Sequence, residues 1–172
     1  ALHNFKLAAE KSGQEFDFLF REDISEIPKY NAVFIRATTD PLYTAYIVSR
    51  TAWELGLKVI DDPESIKICA NKVHQYALFE KFDVPHIPTV FLNKDELHRK
   101  KIADIFDALG KPAVIKAPYT SFSRFVEKAA CETSFREAAK RFFKKSDVLA
   151  VQRFMPTAFD WRVGVLNDEV LY

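Results

Sequence analysis

Apolar residues recur along this chain at two spacings, three-to-four and two, which mark helices and strands respectively. Leu2, Phe5, Ala8 and Ala9 share one helical face, so the sequence opens inside a helix. Phe16 to Phe20 predicts a strand, and Ala32 to Ile35 a second, running into Arg36-Ala37-Thr38-Thr39-Asp40. Tyr43 to Leu55 predicts a helix ended by Gly56, and Lys58 to Ile60 a short strand. Asp62 followed by Pro63 is a helix N-cap and first-position pair. Residues 1–68 therefore read as a small α/β layer. Its first strand, which ordinarily precedes such an opening helix, is expected to be absent.

From residue 69 the rhythm changes. A helix over Asn71 to Phe82 stops at Asp83-Val84-Pro85. Thr89 to Leu92 predicts a strand, and Asp95 to Leu109 a helix stopped by Gly110. Ala113 to Ala117 and Val126 to Ala129 are expected to be neighbouring strands, followed by a helix over Thr133 to Phe143. Leu149 to Phe154, Asp160 to Val165 and Glu169 to Tyr172 complete the strands, the last two joined by a tight turn at Asn167-Asp168. This second part, residues 69–172, reads as α+β with an antiparallel sheet.

Composition narrows the function classes. The 172 residues are 48% hydrophobic and 28% charged, an ordinary globular balance, and the net charge of +1 gives no global field for nucleic acid or an anionic membrane. No apolar run approaches the roughly 20 residues of a membrane span. Cys69 and Cys131 lack metal or disulfide spacing and read as thiols in a reducing, cytoplasmic compartment. With 4 glycines and no Gly-x-Gly-x-x-Gly, any phosphate site must be built from other residues.

Five stretches carry candidate chemistry. Lys72 begins a helix, where a cation opposes the helix dipole unless an anion sits there too. Lys116 shares a strand face with Val114, and either reaches water or points into a cleft. Tyr119 to Phe125 is rich in hydroxyls and joins two strands, a setting that suits phosphate oxygens or a plain hairpin. Val151-Gln152-Arg153-Phe154-Met155-Pro156 then leads to Asp160-Trp161-Arg162-Val163-Gly164-Val165. Strand alternation there puts Asp160, Arg162 and Gly164 on one polar face. Taken singly, each lysine is more often solvated, and an Asp/Arg pair is more often a surface pair of little energetic weight.

Their order resembles the ATP-grasp fold, and within it the RimK-like ligases, which are themselves similar to glutathione synthetases. The stretches carrying the resemblance are Ala32–Thr39, Val59–Lys72, Ala113–Lys116, Ser121–Lys128 and Val151–Leu166. The resemblance implies a pre-ATP-grasp α/β domain followed by an incomplete ATP-grasp α+β domain. It implies that Lys72 and Lys116 contact nucleotide phosphates, and that Ser121 and Ser123 lie on the small loop closing over them. Gln152, Arg153, Phe154 and Met155 would form the hinge strand beside adenine. Asp160 would lie near the ribose, and Arg162 near the phosphates or the acyl intermediate. Arg36, at a strand end, would take a substrate carboxylate. Two positions depart from the family pattern. Phe125 stands where a glycine usually precedes the second strand, and Arg153 stands where the hinge usually carries Glu.

The implied function is that of an ATP-dependent carboxylate–amine ligase acting through an acyl phosphate, with ATP and magnesium as cofactors. The residues that hold magnesium are expected beyond Tyr172, so none is assigned within this chain, which alone is expected to be inactive. Small-molecule or peptide carboxylates and amines are the expected partners, with no nucleic acid and no membrane. The strand ending at Tyr172 is expected to leave an edge open to pairing with a second copy. Two other readings stay open: a nucleotide-binding or regulatory module without catalysis, and a small-molecule kinase on the same scaffold.

Overall fold

A computed structural model describes residues 2–39, 43–118 and 125–171. The chain divides into two compact units, residues 1–71 and 72–172.

In the first unit, helix α1 (Leu2–Lys11) is followed by an irregular stretch and a 3-10 helix over Arg21–Lys29. The strand expected over Phe16 to Phe20 is not formed. Phe16 and Phe18 pack edge to face with ring centroids 5.2 Å apart, and the Asp23 carboxylate accepts the Phe20 N–H at 2.9 Å. That contact turns the chain into the 3-10 helix and takes the backbone group a sheet would need. Strands β1 (Ala32–Phe34) and β2 (Lys58–Ile60) pair in parallel, linked by helix α2 (Thr44–Glu54). Gly56, at φ 77°, ends α2 in the left-handed region that glycine accepts without strain. Ile35, Ala45 and Ile66 form the small core, and the buried Ser49 hydroxyl donates to the Asp61 carbonyl at 2.7 Å.

Helix α3 (Pro63–Ala70) starts as the sequence dictates. Asp62 accepts the Glu64 and Ser65 N–H groups at 3.0 Å each, and Pro63 occupies the first turn. Burial pushes the Asp62 carboxyl up, but hydrogen bonds from Ser65 and Glu64 outweigh it and leave its pKa below the ordinary 3.8. Its capping contribution is therefore present at neutral pH and is lost as pH falls through that depressed value. Asp62→Ala should cost about 1 kcal/mol. A thermal unfolding scan at neutral pH would read this as a lower midpoint. The gap between variant and parent should close in strong acid, and a gap that persists there would sink the electrostatic account.

The second unit opens with helix α4 (Lys72–Lys81), whose end is marked by Asp83 at φ 53°. Strand β3 (Thr89–Asn93) follows. The helix expected from Asp95 is divided. A 3-10 turn covers Lys94–Glu96, and α5 (Arg99–Leu109) starts afresh because the His98 ring accepts the Lys101 N–H at 3.2 Å as its N-cap. Strands β4 (Ala113–Lys116) and β5 (Val126–Ala129), helix α6 (Glu132–Phe142) and strand β6 (Val148–Arg153) complete an antiparallel sheet in the order β3-β6-β4-β5. Helices α5 and α6 cover one face of it. Ile102, Ile105, Phe106, Phe135, Ala138 and Phe142 meet Ile115, Leu149 and Val151 there in a closed apolar core.

Strands β7 (Val165–Leu166) and β8 (Glu169–Val170) form a short hairpin. Asn167 and Asp168 turn it at φ 54° and 64°, the left-handed pair that a two-residue turn requires. The longer strand expected over Asp160 to Val165 is restricted to its last residue. Trp161 and Val163 are exposed, so the alternating apolar positions find no surface to pack on and the segment stays irregular. Among the described residues no helix is long and apolar enough to cross a membrane.

Candidate functional site

The composition of the sheet face opposite α5 and α6 follows from its register. Thr89, Gln152, Val114 and Lys128 lie side by side across β3, β6, β4 and β5, and Phe91, Ala150, Lys116 and Val126 form the next row. Residues opposite one another in a ladder share a face, so Lys116 and Lys128 stand together on it. Neither row contains a carboxylate. Glu127 falls on the helix-covered face, where it pairs with Arg141 of α6.

Helix α4 brings a third cation. The Lys72 N–H donates to the Pro118 carbonyl at 3.3 Å, and the Lys72 ammonium reaches the same oxygen at 3.5 Å. Pro118 lies two residues beyond Lys116, so the start of α4 is held at the end of β4. Lys72 and Lys116 are both half-buried. Burial, and then the positive charge of Lys116, push the Lys72 ammonium below the ordinary lysine pKa of 10.5. Burial alone does the same to Lys116. Both ammonium groups are partly desolvated and Lys72 also feels Lys116, and a polyanion placed between them offsets the burial and the repulsion. The partial positive charge at the start of a helix adds to the attraction.

Gln152 sits on this face but its side chain is committed. It is buried, and its amide nitrogen donates to the Tyr76 hydroxyl and, at 2.8 Å, to the Thr89 hydroxyl. Tyr76 also meets the rings of Phe79, His86 and Phe91 edge-on. Arg153 turns the other way. Its guanidinium donates to the carbonyls of Leu109 at 3.3 Å and Ala108 at 3.4 Å, closing the C-terminal end of α5 where a cation is favoured. The Arg153 N–H is also taken, by the Pro88 carbonyl at 3.0 Å. Near the end of β6 the half-buried Phe154 ring lies under the Lys128 ammonium, 3.8 Å from its centroid.

The sequence is matched by no family model and is similar to none of the curated proteins compared. Solved structures do resemble it. The D-alanine–D-alanine ligase of Coxiella burnetii superposes with a TM-score of 0.65 at 18% identity, over 73% of this chain and 38% of that one. The RimK domain ATP-grasp protein of Sphaerobacter thermophilus superposes with a TM-score of 0.60 at 14% identity, over 75% of this chain and 47% of that one. This chain carries part of an ATP-grasp fold. It spans less than half the length of these two solved chains.

The remaining candidates distribute unevenly over the chain. Ser121 and Ser123 lie outside the described residues. Phe125, at their edge, adopts φ 55°, so the backbone keeps a glycine-like conformation while the ring packs edge-on against Phe142 at 5.5 Å. Met155 is exposed just past β6. Asp160 and Arg162 belong to the irregular exposed segment and not to a sheet face, so the polar floor expected from strand alternation is not built. Arg36 lies in the first unit, where its guanidinium rests 5.4 Å from the Phe5 ring and 5.6 Å from the Phe34 ring. Among the described residues no group of three or more His, Cys, Asp or Glu is arranged to hold a metal, and the lysine face offers no carboxylate. These residues do not fit magnesium.

Sequence reasoning missed Tyr76, Thr89 and Lys128. Tyr76 could have been found, because it lies four residues after Lys72 and so on the same side of α4. Lys128 could not, because its place beside Val114 depends on the β4–β5 register.

Proposed function

We propose that this chain supplies ATP-binding residues of an ATP-dependent ligase that joins a carboxylate to an amine through an acyl phosphate. The observation that carries the reading is the half-buried pair Lys72 of α4 and Lys116 of β4, beside sheet rows that hold no carboxylate among the described residues, in an ATP-grasp fold. Positioning and charge neutralisation are the main demands of phosphoryl transfer, and two ammonium groups beside the phosphates serve both. A carboxylate oxygen attacks the terminal phosphorus and ADP leaves. An amine then attacks the acyl carbon and phosphate leaves. Two of the similar structures are named as D-alanine–D-alanine ligases or D-alanyl-alanine synthetases, enzymes whose names describe joining an acid to an amine. In this reading Phe154, Met155 and Asp160 serve the nucleoside, Ser121 and Ser123 the phosphates, and Arg162 and Arg36 the acyl group and acid.

The test is an NMR titration of the chain with ATP, inorganic tripolyphosphate and AMP, following the lysine side chains. ATP and tripolyphosphate should shift Lys72 and Lys116 while AMP does so weakly. The affinity should fall as pH rises toward 10.5, because both ammonium groups lose their protons below that value. Lysine signals that ignore ATP at every pH would overturn the assignment.

Phe125 favours a second reading, a nucleotide-binding module without catalysis. A side chain at φ 55° keeps the backbone from approaching a phosphate as closely as glycine would. Phe125→Gly should tighten ATP binding severalfold if close approach is what the position lacks. Weaker binding would show instead that the Phe125–Phe142 contact supports the site.

A further inference from the structure

The cationic face depends on how far α4 stands from β4, and one side chain bridges that gap in the right place. Tyr76 lies one helical turn beyond Lys72, so both project from the same side of α4. Its hydroxyl accepts a hydrogen bond from the Gln152 amide, and Gln152 lies beside Val114 on β4, two residues from Lys116. The same amide nitrogen donates to Thr89, whose hydroxyl donates in turn to the Ile87 carbonyl at 2.7 Å. One buried amide therefore ties α4, β3 and β6 together. The edge contacts of Tyr76 with Phe79, His86 and Phe91 hold its ring in a single orientation.

We infer that Tyr76 is the positioning residue of this face: through Gln152 it fixes the first turn of α4, and with it the Lys72 ammonium, against the strand carrying Lys116. The inference rests on the phosphate-binding reading for its functional consequence, but not for its geometry. The Lys72 N–H and ammonium both reach the Pro118 carbonyl, while the like charge of Lys116 pushes the ammonium outward. The Tyr76–Gln152 bond sets the angle of the helix that opposes this drift.

Tyr76→Phe keeps the ring contacts and removes only the hydroxyl. The expected result is that the Lys72 titration midpoint, read from side-chain NMR of the full chain, moves back up toward the ordinary lysine value while that of Lys116 moves less. Tripolyphosphate and ATP affinity should fall about five- to tenfold in parallel. Gln152→Met, which fills a similar volume without a donor, should reproduce both changes. The double variant should lose little more than either single one. A lower melting temperature with Lys72 titration unchanged would overturn the inference and leave Tyr76 an ordinary core contact. If Tyr76→Phe does not fold, Thr89→Val, which removes the other acceptor of the same amide, must shift the Lys72 titration in the same direction or the inference falls. A shifted Lys72 titration in a chain whose parent ignores tripolyphosphate would uphold the positioning role and refute the phosphate reading separately.

Discussion

Lys116→Ala should lower ATP affinity roughly ten- to a hundredfold, the loss of one charge-assisted contact worth about 1.5–3 kcal/mol. The effect should not come from unfolding. Lys116 is a half-buried cation next to another cation, so its removal relieves repulsion and leaves the apolar core beneath the sheet untouched. The Lys72 pKa, which burial and then Lys116 hold down, should rise in the variant. The check pairs a calorimetric titration using a non-hydrolysable ATP analogue with an unfolding curve. Weaker binding at unchanged stability supports a phosphate contact. Unchanged affinity would mean that Lys116 serves only as a solvated strand residue.

Phe135→Ala should be the most damaging single change to stability, at about 3–5 kcal/mol. Phe135 is 0% exposed, sits on α6, and meets Phe106 of α5 edge-on at 5.5 Å. Its removal opens a cavity at the place where both helices meet the sheet. A loss of that size is a large part of the whole stability of an ordinary domain. Urea denaturation followed by far-UV circular dichroism would measure it. A cost below about 1 kcal/mol would contradict a closed core between α5, α6 and the sheet.

Much of this architecture could be read from residue order because local rules agreed with the packing. Asp62-Pro63, Gly110 and Asn167-Asp168 each mark an element end by chemistry that acts within a few residues, and each end falls where it should. Lys116 faces away from the core because Val114 and Lys116 alternate with Ile115, and burial of Ile115 settles the rest. The failures share a different cause. Phe16 to Phe20 and Asp160 to Val165 alternate as strands do, yet among the described residues neither has a neighbouring strand to complete it over that length. Alternation states which side chains could share a face, and only a partner makes a face. Arg153 shows the same limit at a single residue. Its place at the end of β6 was legible, but the carbonyls of Ala108 and Leu109 that hold its side chain lie more than forty residues away in sequence.

The positions of the two tryptophans have an optical consequence. Trp161 is 83% exposed and Trp53 55% exposed, while the core between α5, α6 and the sheet contains phenylalanines and no indole. The indoles meet water before and after the chain unfolds, so their emission should already be red-shifted in the native protein and should move little in denaturant. Unfolding of the second unit would pass almost unseen in tryptophan fluorescence. A tryptophan placed at Phe106, against Phe135, would give that core a reporter of its own.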